Sequence, residues 1–201
     1  MLYDNYSHLN IQSTPKIRPE HPQQIKTKSS RHAAALQAKL VSQHRGINMA
    51  QQIVTLTDYP HFADVCAAWA FGQWGSQRGG TLERTRQRFA LCSKPSEDFL
   101  TLLLIDGERP LGMASLWPSD DHHRRDLSPW LAGVFVHPDH RRQGIAQRLE
   151  QAIVSAAQQR SHPVLHLITD HSEGLYAGWG WQTIERRQQY GDEVVVMEKR
   201  L

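Results

Sequence analysis

The sequence predicts an α/β domain, a mixed and twisted sheet of about six to seven strands with helices on both faces. Three observations predict it. From Met49 onward, short runs of Val, Ile and Leu alternate with stretches whose apolar residues recur every three or four positions. Two apolar runs flank one amphipathic stretch, the pattern of a parallel strand pair joined by a helical crossover. Two further apolar runs are separated only by a short polar turn, which reads as a hairpin.

In order, Ile53 to Leu56 reads as a short strand and Asp58 to Trp74 as a helix, with Phe62, Val65, Cys66, Trp69 and Ala70 on one stripe. Gly75 to Gly80 breaks it, and Thr81 caps a second helix running to Cys92. Leu100 to Ile105, the turn Asp106 to Arg109, and Leu111 to Trp117 make the hairpin. A polar loop, Pro118 to Pro129, leads to the strand Trp130 to Val136. Gln143 to Arg160 is the amphipathic helix, with Ile145, Leu149, Ile153 and Ala156 on one face and Pro163 blocking its extension. Val164 to Thr169 is a buried strand, Ser172 to Ala177 a short helix stopped by Gly178, and Trp181 to Arg186 with Glu193 to Lys199 a closing strand pair.

The chain divides into an extension, residues 1–48, and a domain, residues 49–201. The extension lacks strand alternation, is rich in Ser, Gln, Lys and His, and is expected to be disordered or partly helical at Ser30 to Ser42. It reads as an appendage or an over-extended start. Seven of the 23 basic and two of the 20 acidic side chains lie in it, so the domain itself is slightly acidic. The excess of positive charge therefore belongs largely to the extension, read as a solvated tail or else as an arm for nucleic acid or a partner, and it says little about the domain; nucleic acid is not an expected partner. No apolar run approaches the length of a membrane span and no secretory pattern opens the chain, so a cytoplasmic, membrane-free protein is expected. Cys66 and Cys92 read as buried, reduced thiols rather than a nucleophile or a disulfide.

Arg141, Arg142, Gln143, Gly144, Ile145 and Ala146 stand between an apolar strand and the amphipathic helix. The first turn of a helix has N–H groups without intrahelical partners, and their dipoles sum to a partial positive charge. Gly144 and Ala146 let a ligand approach the backbone, and the two arginines add full charges. Such a site suits a pyrophosphate.

With Ala132 to Pro138 upstream and Gly174 to Trp181 downstream, this segment resembles the GNAT superfamily of N-acyltransferases. The family pattern is Arg or Gln, two residues, Gly, one residue, then Gly or Ala; Arg141, Gly144 and Ala146 satisfy it. The likeness spans Met49 to Leu201 in element order and is specific between Trp130 and Trp181. It implies acetyl-CoA as cosubstrate, held by Val134, Phe135, Val136, Arg141, Arg142, Gln143, Gly144, Ile145, Ala146 and Ser172, with no metal. It implies a splay between the strands Trp130 to Val136 and Val164 to Thr169, and an oxyanion donor in the backbone N–H of Phe135 or Val136. Tyr176 matches the family's general acid. A thiol pKa of roughly 8.5 against about 10 for a phenol leaves the proton transfer uphill by only about 2 kcal/mol. Many relatives have Asn where Asp170 to Ser172 stand; Ser172 is left to bond the cofactor or cap its helix. A homodimer is left open.

A Lys-like amine is only about 0.1% neutral near pH 7.5, so the acceptor needs a base or a water chain. Asp120, Asp121, Asp126, His122 and His123 lie on the loop near the expected acceptor mouth, and their acids suit a cationic acceptor; a solvated polar loop is the plainer reading. Trp117, Asp120 and Asp121 are the candidates for acceptor binding. Trp69, Trp74 and Trp130 join Trp117 as possible walls, with core packing as the alternative. His122, His123, His137 and His140 lack a Cys partner or a His-Glu-x-x-His helix, which speaks against a metal site. The expected activity is transfer of acetyl from acetyl-CoA to a primary amine. Its rivals are an acyl-CoA-binding module without turnover, or transfer to a protein N-terminus or an aminoacyl-tRNA.

Overall fold

Runs such as Leu102–Ile105 show no polar alternation because both faces of their strand are covered. The computed structural model describes residues 51–189 and 191–201. The expectations for residues 1–48, with the helical candidate at Ser30 to Ser42, lie outside them. Seven strands are present among the described residues: β1 (Gln52–Thr55), β2 (Leu100–Asp106), β3 (Arg109–Trp117), β4 (Trp130–Val136), β5 (Val164–Thr169), β6 (Gln182–Gln189) and β7 (Asp192–Arg200). They form one sheet in the order β1-β2-β3-β4-β5-β7-β6. All neighbours are antiparallel except β4 and β5, which are parallel. Between β2 and β3, Gly107 at φ +59° supplies the left-handed first position of a two-residue hairpin turn.

Four helices pack on this sheet: α1 (Ala63–Ala70), α2 (Leu82–Cys92), α3 (Ile145–Gln159) and α4 (Glu173–Gly178). Residues alternate in direction along a strand, so β2 splits its apolar residues between two cores. Leu102 and Leu104 meet Ile145, Leu149 and Ile153 of α3, with Tyr176 of α4 in the same cluster. Leu103 and Ile105 meet Cys66 of α1 and Phe89 of α2 on the other side. Two polar residues enter the interior as a pair: Thr101 and Ser115, opposite each other on β2 and β3, share a hydroxyl hydrogen bond of 2.8 Å. Cys66 and Cys92 are free and buried, and burial pushes the Cys66 thiol up to about 12.

Three elements differ from the sequence expectation. The stretch Asp58 to Trp74 is not one regular helix. It begins with a 3-10 turn at Pro60–Phe62, continues as α1, and widens into a π turn at Phe71–Gly75. Pro60 fixes the entry without a donor, and the nearby Gly72 and Gly75 ease the wider turn. The helix expected from Gln143 begins two residues later, because Arg142 and Gly144 have φ values of 59° and 74°. The closing strands are longer than expected, and β7 lies between β5 and β6. Thr81 caps α2 as expected, its side chain accepting from the Arg84 N–H at 3.2 Å.

Candidate active site

Strands β4 and β5 share a single register pair, Trp130 with His166. Beyond it towards their C-terminal ends the two strands part, and a slot opens inside the sheet. The cause lies in β4. Met113 faces Phe135 and Ser115 faces Ala132, so Gly133 and Val134 together oppose one β3 residue. This is a β-bulge, and Gly133 takes its left-handed position at φ +57°. A bulged strand bends, and β4 leaves β5 here. The burial records the opening: Trp130 to Ala132 are buried, whereas Gly133 to Val136 are only half-buried.

Successive residues of a strand aim their backbone groups in opposite directions within the sheet. The N–H of His137 donates to Leu111 of β3 at 2.9 Å. Phe135 therefore also turns its N–H and C=O towards β3, and Val134 and Val136 turn theirs towards the slot. Of the two oxyanion donors expected from the resemblance, Val136 is the one that faces the slot. Its carbonyl accepts from Arg141 Nε at 3.1 Å. The Phe135 ring stacks on Trp69 of α1, centroids 5.0 Å apart.

The segment after β4 makes a 3-10 turn at Pro138–His140 and then the exposed loop 141–144. Arg142 holds an uncommon φ for a residue with a side chain, and a Cβ added to Gly144 would meet open space. No side chain caps α3 and no acid stands in its first turn. The first-turn N–H groups are thus left to an external acceptor, beside Arg141 and Arg142, at the open end of the slot. These residues fit a pyrophosphate.

Tyr176 stands on the short helix after β5, the strand that forms the other side of the slot, and is 8% exposed. Its ring meets Trp179 and Trp181 edge-on, with centroids 5.5 and 6.0 Å away. Burial pushes its phenol up to about 12, and the charges of Glu150 and Asp120 add to the shift. Among the described residues no hydrogen bond engages its hydroxyl, and the hydroxyl is not sealed off as a buried orphan. Ser172 precedes the helix but does not cap it through its side chain; its own N–H donates to Thr169 Oγ1 at 3.1 Å.

The loop between β3 and β4 has its acids in different states. Asp121 is buried and paired with Arg187 of β6, and it accepts from the His123 N–H at 3.0 Å. Asp126 is held by Arg124, which also binds Glu185 of β6. Asp120 alone among the loop's three carboxylates makes no ion pair with the described residues. It is exposed to solvent, with protein atoms crowded around it. Lost hydration pushes its carboxyl up to about 6, opposed by Arg88 and Arg78 and aided by Asp121. Trp117 is a core residue on the α2 side, 5% exposed, with the Arg88 guanidinium 4.9 Å above its ring. Sequence reasoning missed Glu150, Lys199, Arg187 and His166, whose partners lie far along the chain. It singled out Trp181 and Asp121 without the partners that fix them.

The model of the acetyltransferase (GNAT) family matches residues 64–181, more than half of the chain. No curated protein matches the chain. Among solved structures it is similar to an aminoglycoside 6'-N-acetyltransferase complexed with coenzyme A, at 13% identity and a TM-score of 0.60, covering 74% of this chain and 96% of that one. It is similar to the ribosomal-protein-S18-alanine N-acetyltransferase from Escherichia coli, at 20% identity and a TM-score of 0.53, covering 75% and 94% of the two chains. It is also similar to the ribosomal-protein-alanine N-acetyltransferase from Brucella melitensis, at 19% identity and a TM-score of 0.56, covering 76% and 99%. At these identities the solved structures speak for the fold, and the family match speaks for the class: the chain belongs to the GNAT acetyltransferase family and is an N-acetyltransferase.

Proposed function

We propose that this enzyme transfers acetyl from acetyl-CoA directly to the primary amine of a cationic acceptor, in the cytoplasm. The observation that carries the reading is the uncapped start of α3, with Arg142 and Gly144 both left-handed, at the open end of the β4–β5 slot. Backbone N–H groups of residues 143–146, with Arg141 and Arg142, hold the pyrophosphate. The slot-facing groups of Val134 and Val136 pair with the pantetheine arm as a neighbouring strand would. Ser172, at the end of the slot, is a further contact. Bound acetyl-CoA supplies an activated thioester.

The chain's own residues account for the proton movements. The N–H of Val136 faces the carbonyl oxygen and stabilises the charge that develops there. The amine nitrogen bonds the carbonyl carbon, the carbon–sulfur bond breaks, and the Tyr176 hydroxyl gives its proton to the departing sulfur. A phenol held at a high pKa stays protonated in the resting enzyme, while its proton transfer to the thiolate becomes more steeply uphill than an ordinary phenol's. Asp120 takes the proton that the amine sheds. Among the three loop acids it has no competing cation in an ion pair, which supports its contact with a cationic acceptor. Asp121 supports the loop from beneath, and Trp117 walls the acceptor side through its packing with Arg88.

The test is CoA release from acetyl-CoA across a panel of free amines, polyamines, aminoglycosides and peptides. Turnover is expected with polyamines or other cationic amines. Acetyl-CoA binding without turnover on any member would make this a binding module and overturn the reading.

A further inference from the structure

We propose that the pair of buried Glu150 with half-buried Lys199 is a positioning device for Tyr176, fixing the turn whose two tryptophans cage its ring. The inference rests on the acid role proposed for Tyr176.

Glu150 stands on α3 and is 1% exposed, a rare place for a carboxylate. Its Oε1 accepts from Lys199 Nζ of β7 at 2.8 Å and from Trp181 Nε1 at 2.8 Å. Lys199 Nζ donates in turn to the Trp179 carbonyl at 2.9 Å. One carboxylate and one ammonium therefore grip both ends of the turn Trp179–Trp181 that leaves α4. The same turn is tied back to the helix, where the N–H groups of Trp179 and Trp181 both donate to the Tyr176 carbonyl, at 2.9 and 3.1 Å. Helix α4 has six residues, far too few to hold a direction by itself. Its bearing comes from the turn at its C-terminal end, and that turn is bolted to α3 and β7.

Net stability does not account for such a pair. Taking two charges out of water offsets much of their attraction, and apolar residues of similar volume serve a core as well or better. What the pair adds is direction, since its hydrogen bonds fix the Trp181 indole and the Trp179 backbone, and both rings meet the phenol edge-on. The charged groups acting on Tyr176 are Glu150 from α3 and Asp120 from the β3–β4 loop.

The test replaces the pair by Glu150→Leu with Lys199→Met, a substitution that leaves no unpaired charge, and combines it with Tyr176→Phe in a cycle. The reaction followed is single-turnover consumption of acetyl-CoA with the most reactive amine of the panel. Expected for the pair variant are unchanged acetyl-CoA affinity, an unchanged acceptor KM, and a rate slowed about tenfold or more. Adding Tyr176→Phe should then slow it little further, because a misaimed hydroxyl has little left to lose. Additive losses would mean that the pair acts on something else, and the proposal falls while the acid role stands. A parent-like rate in the pair variant has the same result. A Tyr176→Phe enzyme as fast as the parent would bring down both readings. Should the pair variant fail to fold, Glu150→Gln runs the same cycle. The amide keeps the bond to Trp181 and weakens the hold on Lys199, and a smaller loss that vanishes in the Tyr176→Phe background is expected.

Discussion

Tyr176→Phe removes one oxygen atom and keeps the ring that Trp179 and Trp181 enclose. Its effect should therefore fall on turnover and spare binding. A single-turnover rate lower by about a hundredfold, with acetyl-CoA affinity unchanged, is expected for a lost general acid. A rate within about threefold of the parent would remove Tyr176 from the chemistry. The same side chain carries a pH prediction. Its phenol is raised from 10.0 to about 12 by burial first, then by Glu150 and Asp120. Through that window the folded protein keeps a proton that the unfolded chain has released, so stability falls as pH rises from the lower value to the upper. Denaturant melts at both ends of the window should show a drop that is smaller in Tyr176→Phe than in the parent, the remainder belonging to the Cys66 thiol, which is raised over the same window. At Gly144 the backbone sits at φ +74° with open space where a Cβ would go. Gly144→Val should strain the loop and obstruct the anion, lowering acetyl-CoA affinity by at least about tenfold in calorimetry, or about 1.4 kcal/mol. The places of Arg141, Gly144 and Ala146 at the start of α3 and of Tyr176 on α4 were legible because they rest on short spacings. Glu150 was not, since only Lys199, 49 residues away, explains a carboxylate on that face.

The β3–β4 loop shows how an element without regular structure is held in place. Asp121 has no exposed side-chain area and Arg187 has 18%, whereas Asp126 keeps 62%. Asp121→Ala leaves a mostly buried guanidinium that keeps Glu185 and Gln189 but loses its buried partner, and a stability loss of about 1.5–3 kcal/mol is expected. Asp126→Ala should move stability by about 1 kcal/mol or less. Equal losses in thermal melts of the two variants would contradict this account of the loop. From sequence the two acids are alike, polar residues in one polar loop. Their difference is made by β6, 66 positions downstream of Asp121. Strands β4 and β5 are legible to the residue because both are mostly apolar runs preceded by Pro, Pro129 and Pro163. The stretch Asp58 to Trp74 is not, because apolar spacing alone does not separate an α turn from the wider turn at Phe71–Gly75.

For the molecule as a whole, the family match begins at residue 64 and every strand and helix of the domain lies after residue 51. A chain shortened to Met49–Leu201 is expected to melt and to bind acetyl-CoA as the full chain does. A clearly lower melting temperature would show that the first 48 residues contribute to the fold. The fold class was legible from the alternation of runs and stripes, but the insertion of β7 between β5 and β6 was not. Strand order depends on which edges are open when a later segment arrives, and no local pattern records that. The parting of β4 from β5 has a consequence of its own. A continuous sheet has two rims; this one has four, since the slot adds two that face inward. Outer rims invite any extended chain to join them, which is a hazard for solubility. The inner rims have helices on both sides of the sheet, so a whole polypeptide strand with its side chains meets obstruction where a slender, unbranched amide chain can enter. The domain thus carries its hunger for one more strand on the inside, where thickness decides what may satisfy it.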